Sequence, residues 1–96
     1  MPQDPEGIDL RNASLTDHAL TQMAKRQVPA PDVRAVLAGP EAVLPVRPGR
    51  VVAQKIVLAA QGRRYLLRVF VDVDRVPPQV VTVYRTSKID KYRSRA

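Results

Sequence analysis

An α+β fold, with two N-terminal helices packed on a three- to four-stranded antiparallel sheet, is what this chain predicts. Two patterns and their punctuation lead there. Apolar residues recur at helical spacing between residues 15 and 38. From residue 42 to residue 85 the period is two, as in half-buried strands. The segments RPGR, AAQGR and DRVPPQ interrupt that second half and read as turns.

The elements follow in order. Residues 1–13 are polar, carry Pro2, Pro5 and Gly7, and read as a flexible arm ahead of a single domain over 14–96. LTDHALTQMAKR, residues 15–26, reads as a helix with Thr16 as N-cap and a stripe of Leu15, Ala19, Leu20 and Met23. Asp17 complements the positive end of its dipole, and Lys25 and Arg26 the negative end. Pro29 stops it. A second helix runs from Pro31 to about Ala38, burying Val33, Val36 and Leu37, and ends at Gly39–Pro40. Strands are expected near 42–46, 51–58, 64–73 and 80–85. SKIDKY offers one last helical turn, with Ser87 as cap and Asp90 three residues on.

Composition narrows the function classes. The 96 residues suit one domain, and 45% of them are apolar, with only one Phe, three Tyr and no Trp, so the core should be small and aliphatic. No stretch is apolar enough to span a membrane, and the N-terminus lacks a basic start and an apolar run, so a cytoplasmic protein is expected. Without cysteine there is no disulfide and no thiolate metal site. Lys and Arg number 16 against nine acids, a net charge of +7. Arg85, Lys88, Lys91, Arg93 and Arg95 crowd the C-terminal end, opposed there by Asp90 alone. A basic domain of this size has the electrostatic footprint of a polyanion binder, RNA or DNA being the usual polyanion. Solubility is the plainer account of the same charge.

Candidate chemistry falls on few residues. His18, the one histidine, is the default general acid or base, or else a helix histidine bonded to a nearby carbonyl or carboxylate. Arg68 stands between Leu66 and Phe70 on one face of an expected central strand, so it needs an anion: Asp72 on the same face, or a ligand phosphate. Gln54 and Lys55 are neighbours and must point to opposite faces; one of them shares a cleft with Arg68, and Lys55 is the better phosphate ligand. Thr82, Tyr84 and Thr86 alternate along one face of the last strand, with Arg85 opposite, and all three are also good strand formers. Lys88 and Lys91 lie on one side of the final turn, as a solvated face or a site rim. Phosphate-loop, dinucleotide, zinc-protease and G-x-S-x-G motifs are absent, and neither a metal nor a cofactor is expected.

Two segments carry a resemblance. HALTQMAKRQVPAPDVRAVLAGPEAV resembles the opening of an uncharacterised prokaryotic domain family, and VVTVYRTSKIDKY resembles its ending. That family is placed near the RelE/ParE-like toxins, among the small ribonuclease folds that include barnase and the colicin nucleases. The resemblance implies a RelE-like arrangement of two helices on a four-stranded antiparallel sheet, with an RNase site on the concave sheet face. It implies cleavage without metal by attack of the 2′-hydroxyl on the adjacent phosphate. His18 would be base or acid; Arg68 and Lys88 would hold the phosphate, with Lys55 or Arg85 assisting; Tyr84 or Thr86 would orient or stack. Gln54, Thr82 and Lys91 complete the expected substrate-binding set. The partners implied are RNA, free or ribosome-bound, and a cognate antitoxin protein. The alternative is a non-catalytic basic module that binds nucleic acid or an acidic protein.

Overall fold

The computed structural model describes residues 9–93, except the side chains of Ala60, Tyr92 and Arg93. The elements are β1 (Ser14–Leu15), α1 (Asp17–Arg26), α2 (Ala30–Ala38), β2 (Ala42–Arg47), β3 (Arg50–Leu58), β4 (Arg64–Asp72), β5 (Gln79–Thr86) and α3 (Ile89–Arg93). The sheet order is β1-β5-β4-β3-β2.

This corrects the expected fold. The sheet has five strands and is mixed, because β1 pairs parallel with β5 through Ser14–Gln79 and Leu15–Val80. Among the described residues there are three short α-helices, α3 being the third. A two-residue strand is too short to show a period, and its partner is distant in sequence, so nothing local announces it. The expected arm, residues 1–13, is described only from residue 9 onward. Arg95 also lies outside the described residues. Within the arm, Leu10 and Ala13 are buried in the core and Arg34 Nη1 donates to the Ala13 carbonyl at 2.7 Å.

Thr16 joins β1 to α1. Its Oγ1 accepts from the Ala19 amide at 3.1 Å, capping the helix, and donates to the Val80 carbonyl at 2.8 Å. The helix therefore starts where its strand leaves the sheet, and α1 lies along β5 with Ala19 and Met23 buried. Leu20 falls beyond this stripe and is 46% exposed. α2 presents Val33, Val36 and Leu37 to β3 and β4. Both helices share one core with Val51, Ala53, Leu67, Val69, Val71, Val80 and Val83. Each fully buried Val or Leu of this set contributes roughly 1.5–3 kcal/mol.

Two irregularities aim the side chains. The β2–β3 hairpin turns at Pro48–Gly49, where Gly49 has φ +83°. In β5 a bulge leaves Val81 unmatched, since Phe70 faces Thr82 while Val71 faces Val80. The extra residue lets Val80 and Val83 both enter the core, while Thr82, Tyr84 and Thr86 keep the opposite face.

Candidate nucleic-acid interface

Helices α1 and α2 cover one face of the sheet; on the other, cross-strand rows run from the Arg50 end toward Ile56, Leu66 and Thr86. Arg50 lies opposite Asp72, Val52 opposite Phe70 and Thr82, and Gln54 opposite Arg68 and Tyr84. Residues facing one another across strands are close enough to interact. In the Gln54–Arg68–Tyr84 row they do so through hydrogen bonds. Arg68 Nε donates to Gln54 Oε1 at 3.0 Å and Arg68 Nη1 to the Tyr84 hydroxyl at 2.7 Å. The rigid guanidinium fork thus braces β3, β4 and β5. The same guanidinium lies 5.5 Å from the Phe70 ring centre and 5.7 Å from that of Tyr84. Those two rings run nearly parallel, 20° apart, with centres 6.0 Å from each other.

Beside this row is an open cleft of about 770 Å³, lined by Arg26, Arg50, Phe70, Thr82, Tyr84 and Arg85. Arg26 reaches it from a helix on the other face. β1 pairs only at residues 79 and 80, so farther along β5 the edge lies open, and Arg26 Nη1 donates to the Val83 carbonyl there at 2.9 Å. Its guanidinium lies 6.0 Å from the Tyr84 ring. Arg50 is fixed by Asp72, whose carboxylate accepts from Nε at 2.6 Å and Nη2 at 3.2 Å. These bonds hold the Asp72 carboxyl below its ordinary range, against the opposing effect of burial. Among the described residues no group of His, Cys, Asp or Glu is placed to hold a metal ion, and no helix is long and apolar enough to cross a membrane.

The comparison that places the chain is a family model, DUF4258, a domain of unknown function, which matches residues 15–85. The chain belongs to this family. No curated protein and no solved structure matches it. The DUF4258 span takes in Arg26, Arg50, Gln54, Arg68, Phe70 and Tyr84, and it ends before Lys88 and Lys91.

Within the DUF4258 domain the structure gathers some of the expected residues and separates others. Gln54, Arg68, Tyr84 and Thr82 share the open face. It is therefore Gln54 rather than Lys55 that meets Arg68; Lys55 is opposite Leu67 on the helix side. Arg85 also belongs to the helix side, its guanidinium 4.7 Å from the Tyr65 ring, yet it borders the cleft at the β5 edge. Thr86 Oγ1 accepts from the Lys88 amide at 3.0 Å, and Lys88 and Lys91 are exposed beyond the strand. His18 is exposed in the first turn of α1 and is not among the cleft-lining residues.

Three cleft residues escaped the sequence reading. Arg26 looked like a dipole-complementing helix end, Arg50 like part of a turn, and Phe70 like an apolar flank of Arg68. The one available signal was Phe70 sharing strand parity with Arg68. The other two depend on pairings distant in sequence.

Proposed function

We propose that the open sheet face of this DUF4258 domain binds RNA and cuts it, as a toxin-like, metal-independent endoribonuclease. The observation that supports the reading is the convergence of Arg26 and Arg68 with the Phe70 and Tyr84 rings at one open cleft, which the Asp72-held Arg50 borders. Arginines take phosphate by paired N–H groups, and aromatic rings take unstacked bases. In this reading the domain is a relative of the RelE/ParE-like toxins, acts in the cytoplasm and is held by a cognate antitoxin protein.

The chemistry is a transesterification. The 2′-hydroxyl oxygen bonds to the adjacent phosphorus and gives its proton to a base. The bond from phosphorus to the 5′-oxygen breaks, and that oxygen takes a proton from an acid. The products are a 2′,3′-cyclic phosphate and a free 5′-hydroxyl. Arg68 and Arg26 offset the charge that builds on the phosphoryl oxygens. The Tyr84 hydroxyl, oriented by Arg68 Nη1, is the proton-transfer group in the cleft. Gln54 positions Arg68. Binding without turnover is the second reading, and the place of His18 favours it: it stands two turns before Arg26, about 12 Å along α1.

The test uses end-labelled RNA, free and ribosome-bound, in EDTA. Discrete cuts ending in cyclic phosphate are expected, about 100-fold slower or more in Arg68→Ala and Tyr84→Phe, the scale of one oxyanion donor or one acid–base group. Tyr84→Phe keeps the ring and removes only the hydroxyl. Salt-sensitive binding with no cuts on either RNA would leave the second reading. Loss of cutting in His18→Ala with binding intact would move the proton-transfer role to His18.

A further inference from the structure

A second cleft, of about 640 Å³, lies on the helix side at the far end of the sheet. Its lining includes Gln27, Asp32, Leu58, Arg63, Tyr65 and Arg85. Two features tie it to the sheet-face cleft. Arg85 borders both. Arg26 lines the first and Gln27, the next residue, lines the second, so the two adjoin where α1 ends against the open edge of β5. The second cleft also repeats the chemistry of the first. The Arg85 guanidinium is supported by the Tyr65 ring at 4.7 Å, as that of Arg68 is by Phe70 at 5.5 Å, with exposed Arg63 nearby.

Resting on the RNA-binding reading above, we infer that a single strand continues from the sheet face over the β5 edge into this second cleft, which is a further nucleotide subsite. A base stacks on the Arg85 guanidinium plane, backed by Tyr65. Arg63 takes a phosphate. Asp32, the carboxylate in the lining, repels phosphate and accepts from an exocyclic amine, so the backbone runs along the Arg63 side and the base points toward Asp32. A double-stranded helix does not make this turn around a sheet edge with its bases splayed, so the ligand is single-stranded.

The test is affinity against strand length, with RNA oligonucleotides of about 3 and about 10 nucleotides, within or near the range of single-strand site sizes. Arg63→Gln and Tyr65→Ala should each weaken the longer oligonucleotide about tenfold, the scale of one stacked base, and leave the shorter one unchanged. Phe70→Ala should weaken both. The shorter oligonucleotide is the internal control, since misfolding or a general loss of charge would weaken both lengths. If both second-cleft variants bind the longer strand like the parent protein while Phe70→Ala still weakens it, the subsite is overturned and the sheet-face reading stands. That outcome would leave the second cleft to an acidic protein segment. If neither length binds the parent protein, the sheet-face reading falls and the inference with it.

Discussion

At Asp72 the question is which arginine holds the carboxylate. Asp72 shares its face with Arg68, but the β3–β4 register sets Arg50 directly across from it, and Arg50 takes it with two hydrogen bonds. Arg50 depresses the folded-state pKa of Asp72, with the unfolded value near the ordinary carboxylate, roughly 3.9. The stabilisation is therefore fully present above that ordinary value and is lost as pH falls through the lower folded value. Asp72→Asn should cost about 1.5–3 kcal/mol at pH 7, as for a hydrogen bond to a charged group. Urea unfolding from pH 7 downward checks it. The gap between variant and parent should close as the pH passes below the carboxylate range; a gap constant with pH would assign the loss to something other than this pair.

Among the elements, α1 and the β2–β3 hairpin each depend on one residue. Thr16 Oγ1 both caps α1 and donates to the Val80 carbonyl of β5. Thr16→Ala should destabilise by about 1–2 kcal/mol, lowering the midpoint of a thermal melt by roughly 4–8 °C per kcal/mol in a domain of this size. An unchanged midpoint would mean that the strand, not the cap, sets the start of α1. Gly49 has φ +83°, and a Cβ there would approach Asp74 Oδ2 to 2.8 Å. The Asp74 side chain is exposed and can swing away, so the left-handed backbone sets the cost of Gly49→Ala, about 1–2 kcal/mol. Gly49→Asn should recover part of that loss in the same melt, because Asn tolerates this conformation.

For the whole molecule, with its charge of +7, the proposed RNA binding should depend on salt, log affinity falling linearly against log salt. On a single strand each phosphate neutralised contributes a slope of about −0.7. Arg26→Ala should make the slope shallower by about that amount, read from binding titrations at several salt concentrations. If Arg26→Ala leaves the slope unchanged and Lys88→Ala with Lys91→Ala flattens it, the strand follows the C-terminal lysines rather than the cleft.

Local pattern made α1, α2 and the four longer strands legible, because their buried faces repeat within a few residues and their ends carry Pro, Gly or a capping threonine. The parity of β4 placed Arg68 and Phe70 together, and that of β5 placed Thr82, Tyr84 and Thr86 together, before any fold was known. Parity does not say which neighbour a strand takes or in what register. Only the tertiary structure set Gln54 rather than Lys55 against Arg68, gave Asp72 to Arg50, added β1 as a parallel edge and brought Arg26 around β5 to Tyr84. Each of those is a contact between residues far apart in sequence, fixed by sheet register and by one short strand that leaves an edge open, and neither has a local period to read.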